Sequence, residues 1–179
     1  TIIWDAQTGK RLFALAGHAS AINDVSFSPE CVAPPDSPFE WCGIWLATAS
    51  RDGTVKVWDV SPGGSRELTT LPGFEGGFLD TTRLFTVRFI GPNEVEIQFW
   101  NISLDGKSKW ISSIISSHAA PIVAGNVSPS GQRFVTADLG NTVKVWDAQT
   151  GQEVLSFVVN QTAMITGLAF NLDGTHIAT

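Results

Sequence analysis

Basic residues are few in this chain, and they never gather. Its 179 residues hold 11 Lys and Arg against 17 Asp and Glu, a formal net charge of −6. With the cations scattered, the electrostatic footprint of a nucleic-acid-binding protein is missing, so nucleic acid is not an expected partner. The mild acidity favours solubility. Long apolar runs are also lacking: no stretch approaches the roughly 18 residues of a spanning helix, and no membrane contact is expected. Two cysteines, Cys31 and Cys42, are too few for a disulfide framework. They could pair across a loop in a secreted protein; two reduced thiols are the expectation. The N-terminus shows no signal-peptide pattern, and the expected compartment is the cytoplasm, with the nucleus as the alternative. Three histidines and two cysteines at unrelated spacings give a metal site no support, and no cofactor is expected. No segment reads as an amphipathic helix of useful length.

What the chain does have is repetition, which must be weighed before any local reading. The hexapeptide TVKVWD occurs at Thr54–Asp59 and again at Thr142–Asp147. It belongs to a series: TIIWDAQTG at Thr1–Gly9, TVKVWDV at Thr54–Val60, EIQFWNI at Glu96–Ile102 and TVKVWDAQTG at Thr142–Gly151. The anchoring tryptophans are Trp4, Trp58, Trp100 and Trp146, spaced 54, 42 and 46 residues apart. The first gap holds extra sequence, CVAPPDSPFEWCGIW. Between Pro29 and Leu46 lie 12 more residues than between the matching Pro129 and Phe134, so the underlying period is 42, 42 and 46.

Within a repeat, AINDVSFSP alternates apolar and polar residues and ends at a turn. WLATAS follows, then the turn RDG, then TVKVWD, then a Gly/Pro/Ser break. These are short period-two segments with turn chemistry between them, rich in residues that suit a pleated, half-buried surface. A four-stranded sheet of this size cannot bury both faces alone. Stacked on similar sheets around an axis it can, and that is a propeller.

On these residues the sequence resembles the WD40-repeat family over nearly its whole length. The family's Gly-His pair appears at Gly17–His18 and as Ser117–His118. His18 lies 40 residues before Trp58, or 28 without the insertion, and His118 also lies 28 before Trp146. The resemblance implies an all-β fold of WD40-type propeller blades, each a four-stranded antiparallel sheet, in a partial propeller of about four repeats. Residues 1–16 are expected to be the last two strands of a preceding blade. Residues 21–71 are blade one with the insertion at 31–45; 76–115 are an irregular blade two; 121–158 are blade three; 164–179 are a truncated blade four. Alignment matches Thr1 with Thr54 and Thr179 with Thr48, so the chain reads as four repeats less five residues, a fragment of a longer array. The remaining blades, or a second copy of the chain, would close the ring.

The resemblance also implies a hydrogen-bonded set inside each blade. His18 would bond Asp52, and a hydroxyl from Ser50 or Thr48 would continue to the indole of Trp58. In blade three the members are His118, Thr136 and Trp146, but Gly140 stands where Asp52 would. Asp138 comes two residues earlier, so either the turn is reshaped or His118 has lost its carboxylate. The set is reminiscent of Ser/His/Asp catalysis, but a repeated element that includes an indole reads as architecture, and no catalytic residue is assigned. In blade two, TRLFTVRFIGPNEVEIQFWN reads as a hairpin around Gly91–Pro92–Asn93 after a short or irregular first strand.

Binding falls on loops held by a rigid frame. Asn23, Arg51, Leu139 and Thr162 are the expected contact residues on the His18 face, and Phe39 and Trp41 in the insertion are candidate anchors on the opposite one. The function these features imply is a non-catalytic protein-interaction scaffold whose partners are other proteins or peptides. A regulatory or sensing arm of a larger signalling NTPase or kinase is the alternative, and a propeller enzyme or lectin a third.

Overall fold

The computed structural model describes residues 1–29, 44–61, 64–103, 105–160 and 162–179. Among them every regular element is a strand. The Cα positions group into two compact units, residues 1–88 with 99–111, and residues 89–98 with 112–179.

In the first unit, β1 (Ile2–Trp4) and β2 (Arg11–Ala14) form an antiparallel pair. A four-stranded sheet follows, from β3 (Ile22–Phe27), β4 (Trp45–Ser50), β5 (Thr54–Asp59) and β6 (Arg66–Pro72), in sequential order. Alternation explains its burial. Trp45, Ala47 and Ala49 of β4, with Val55 and Val57 of β5, point to one face and pack with Leu71, Leu84 and Ile102. Leu46 and Trp58 point to the other face and pack with Leu15, Val60, Ile3 and Phe13. Val55 and Val57 are fully buried, and each contributes roughly 1.5–3 kcal/mol through the apolar surface it removes from water.

A second sheet contains β7 (Glu75–Phe78), β8 (Arg83–Gly91), β9 (Glu94–Ile102) and β10 (Ser108–Ser117), ordered β10-β9-β8-β7. The hairpin joining β8 to β9 turns at Pro92 and Asn93, and its arms are nine residues each where β4 and β5 have six. Strand β7 is only four residues long. Its Gly76 is required sterically: a Cβ there would lie 2.6 Å from the Phe85 carbonyl oxygen.

In the second unit, β11 (Ile122–Val127), β12 (Arg133–Asp138), β13 (Thr142–Asp147) and β14 (Glu153–Val158) form a third sequential sheet. It reproduces the first: Val135, Ala137, Val143 and Val145 pack with Ile165 and Leu168, and Phe170 and Ile177 lie against this cluster. A final pair, β15 (Ala169–Phe170) and β16 (Ile177–Ala178), supplies the last two of those residues.

The TVKVWD strands β5 and β13 have the same burial pattern, residue for residue. A register bulge also recurs at the same point of the pairing to the next strand: between Ile3 and Trp4, Val57 and Trp58, and Val145 and Trp146. The bulge corrects the alignment of the first residue. Thr1 corresponds to Val55 rather than Thr54, because the tryptophan and not the leading threonine fixes the register.

Candidate functional site

The first and third sheets each carry a polar circuit centred on one threonine. In the first sheet Leu46 is opposite Trp58 and Thr48 is opposite Lys56, so Thr48 lies on the Trp58 face, two residues along the strand. The Trp58 indole N–H donates to Thr48 Oγ1 at 2.8 Å. His18 Nε2 lies 2.8 Å from the same oxygen, and His18 Nδ1 lies 2.9 Å from Asp52 Oδ2. Ser50, the other candidate hydroxyl, does not join the circuit. Its Oγ accepts the Asp52 backbone N–H at 3.1 Å and braces the turn. Ser50 shares the face but sits four residues from Leu46, roughly 13 Å along the strand and out of an indole's reach.

Asp52 is held by more than the histidine. Its Oδ2 accepts the Ala19 N–H at 2.8 Å, while its Oδ1 accepts the Thr54 N–H and hydroxyl at 3.0 and 2.6 Å. Burial works to raise its pKa, but these donors and His18 outweigh it and hold the carboxyl well below the usual range.

The third sheet builds the same circuit from a different sequence. Trp146 Nε1 donates to Thr136 Oγ1 at 2.8 Å, and His118 Nε2 lies 2.7 Å from that oxygen. The carboxylate is Asp138, at the end of β12, with Oδ2 3.1 Å from His118 Nδ1. Of the two readings open from sequence, the turn is reshaped and the histidine keeps its partner. Asp138 Oδ1 accepts the N–H groups of Gly140 and Thr142, both at 2.9 Å. To bring them there Asn141 adopts φ 60°, where the first sheet has Gly53 at φ 83°. Asparagine is among the few residues that tolerate that conformation. The His118 and Asp138 side chains are 0% and 1% exposed. Burial lowers the His118 pKa against the opposing pull of Asp138, so the ring is neutral at neutral pH. Because the indole can only donate, Thr136 Oγ1 accepts from it and turns its own proton to Nε2, leaving Nδ1–H for Asp138.

The second sheet keeps only part of this. Trp100 Nε1 donates to Thr86 Oγ1 at 3.0 Å, but in the sequence Phe74 follows Gly73 where His18 follows Gly17. Thr86 was not singled out from sequence. It lies 14 residues before its tryptophan, whereas Thr48 and Thr136 lie 10 before theirs, and the longer β8–β9 hairpin accounts for the shift. A lysine–glutamate pair, also missed, flanks each complete circuit: Lys56 to Glu67 and Lys144 to Glu153, both at 2.9 Å, with Lys144 Nζ 5.3 Å from the Trp146 ring centroid. The equivalent residue in the second sheet is Gln98. It is buried, with Nε2 donating to Glu96 Oε2 at 3.2 Å and Oε1 without a hydrogen-bond partner.

The expected contact residues fall as follows. Asn23 and Arg51 are exposed and joined, Arg51 Nε donating to Asn23 Oδ1 at 3.3 Å. Leu139, at the turn after β12, is 48% exposed, and Thr162 is exposed. Phe39 and Trp41, with Cys31 and Cys42, lie outside the described residues. Trp45, at the end of the insertion, is buried and its ring centroid lies 6.4 Å from that of Phe78. No group of three or more metal-ligating side chains is found among the described residues.

Three four-stranded antiparallel sheets, each closed by a tryptophan-to-threonine bond and two of them by a histidine–aspartate pair, define a WD-type repeat protein. The family described as "WD domain, G-beta repeat" matches residues 9–59 and 102–147, more than half of the chain, and the chain belongs to this WD40 family. Among curated proteins it is similar to telomerase protein component 1 of Rattus norvegicus, 25% identical over 180 residues that cover 97% of this chain. It is also similar to nuclear distribution protein PAC1-2 of Uncinocarpus reesii, 26% identical over 94% of this chain and 39% of that protein. WD repeat and SOCS box-containing protein 1 of Homo sapiens is 35% identical over 63 residues, 35% of this chain and 12% of its own length. The chain spans 6% of the length of the rat protein.

Proposed function

We propose that these repeats form a non-catalytic platform for binding other proteins or peptides. The observation that carries this reading is where the reactive side chains are spent. His18, Asp52, His118 and Asp138 have the chemistry of an acid–base set, yet each is bonded to its own sheet, and the hydroxyl a nucleophile would need already accepts an indole proton. A catalytic base needs a reachable substrate proton, and the His118 side chain is fully buried. Meanwhile Asn23, Arg51, Leu139 and Thr162 are exposed at strand ends and loops beside these rigid frames. WD40 repeats and WD-repeat relatives support the same role.

The test is capture of partners by the intact protein compared with Arg51→Ala and Leu139→Ala. Loss of a partner with unchanged thermal stability supports the platform and locates its contacts. If both variants retain every partner, those contact residues are wrong. Turnover of a substrate that is lost in His118→Asn but kept in a variant of equal stability would overturn the non-catalytic reading.

A further inference from the structure

Within the first unit, strand β7 packs against β3 and β4. Two hydrogen bonds cross this seam: Asn23 Nδ2 donates to the Phe74 carbonyl at 2.9 Å, and the Phe78 N–H donates to Ser26 Oγ at 3.2 Å. The packing between them is close. A Cβ on Gly77 would sit 3.2 Å from Ser26 Oγ, and one on Gly76 would sit 3.2 Å from Val55 Cγ2. Asp24 of β3 and Glu75 of β7 lie in this clamped interval, each next in sequence to a residue of the Asn23–Phe74 bond.

Glu75 is partly buried there, and its side chain makes no hydrogen bond or ion pair among the described residues. The groups packed around it do not neutralise it. Strand β4 is WLATAS and brings no charge. On β8 the residue opposite Glu75 is Val87; Arg88 is next and points to the other face. Arg51, on the turn after β4, is engaged with Asn23 Oδ1. From β3 comes Asp24, a charge of the same sign. A carboxyl half-removed from water beside a like charge favours its neutral form. Consistently, burial first and Asp24 second push Glu75 up to about 7.

We propose that Asp24 and Glu75 make the β3–β7 seam a pH-sensitive latch, closed while Glu75 holds a proton and loosened when both carboxyls are ionised. The sign follows from linkage. An unfolded glutamate titrates near 4.5 and the folded one near 7, so the folded state binds the extra proton between those values. The stabilisation is fully present below about pH 4.5, falls as pH rises through neutrality and is gone above it. The latch does not rest on the binding role proposed above.

Thermal unfolding of the intact protein between pH 5 and 8.5 tests this against Glu75→Gln, which mimics the neutral acid, and Asp24→Asn. The wild type should lose about 3 °C or more of Tm relative to Glu75→Gln between pH 5 and 8. Asp24→Asn should shrink that gap. The Glu75 carboxyl ¹³C shift should titrate near neutrality in the wild type and at lower pH in Asp24→Asn. Parallel Tm curves for wild type and Glu75→Gln, or a Glu75 carboxyl that titrates below pH 5, would overturn the latch. Should Glu75→Gln fail to fold, the wild-type carboxyl titration decides alone.

Discussion

The first and third sheets reach the same hydrogen-bond circuit by different turns. In the first, the carboxylate stands inside the turn at Asp52, with Ser50 and Gly53 arranging the backbone around it. In the third, it stands at the strand end on Asp138, and Asn141 takes the left-handed position. The difference teaches that the fold fixes where a negative charge must be, beside the histidine Nδ1, and leaves open which residue delivers it. Asp138 is also the more buried of the two, 1% exposed against 14% for Asp52.

The largest expected effect tests whether the two circuits rest on equivalent tryptophans. Trp58→Ala and Trp146→Ala should each destabilise by about 3–5 kcal/mol in chemical denaturation, as large-to-small core changes do. Trp146 also stacks on Phe134 at 5.8 Å. Trp100→Ala, in the sheet without a histidine, should lose less; an equal loss would mean that the histidine adds nothing to the circuit.

Next comes the hub. Thr48→Val and Thr136→Val keep the shape but strand an indole N–H, and Thr136→Val also strands His118 Nε2, whereas His18 Nε2 keeps the Thr48 carbonyl at 3.0 Å; each should lose about 1–3 kcal/mol. Thr→Ser at either site should recover most of that.

The carboxylates come third. Asp138→Asn should lose more than Asp52→Asn, both within about 1–3 kcal/mol, because the deeper site has less access to water. The sharper experiment transplants one turn into the other. Asp138→Ser with Gly140→Asp and Asn141→Gly rebuilds the first sheet's turn in the third. It should unfold at a higher denaturant concentration than Asp138→Ser alone. No recovery would mean that the two turns are not interchangeable.

Acid should weaken the protein through His118. Its folded pKa lies below the 6.5 of a free histidine because of burial, so the unfolded chain takes up its proton first. Stability should fall as pH drops below about 6.5, measured in the Glu75→Gln background to remove the opposite trend. His118→Asn should flatten that slope. Asp52 and Asp138, both held below the ordinary carboxylate value, add a further loss as pH falls below 3.8.

The smallest effect is at the flanking cations. Lys56→Met and Lys144→Met should each change stability by about 1 kcal/mol or less, since these pairs keep contact with solvent. The Lys144 change should be the larger if the charge over the Trp146 ring contributes.

Much of this was legible in the residues because repetition supplies its own controls. The tryptophans, His18 and His118, and the β8–β9 hairpin could be read from spacing and turn chemistry. What escaped depends on distances that spacing does not carry. Thr48 and Ser50 lie on the same face of one strand, and only the register of Leu46 with Trp58 separates them. Asp138 was visible with two readings open, a reshaped turn or a lost carboxylate, and sequence could not choose between them, since alignment presumes that a group keeps its place along the chain while the backbone can carry it elsewhere. Glu75 gave no signal at all; its environment comes from a strand some fifty residues away.

The paired TVKVWD strands have a consequence for how the chain reaches its native state. Two segments of identical sequence and burial fit each other's berths equally well as far as their own side chains go. A nascent chain can therefore dock one in the slot of the other, slipping by whole repeats, a trap characteristic of repeat proteins. What breaks the tie is the entry to each strand, Asp-Gly in one case and Gly-Asn in the other, together with the differing hydrophobic neighbours of Leu46 and Phe134. The divergence between the two turns thus acts as an address label, and making the turns identical should slow productive folding even where it leaves the final stability untouched.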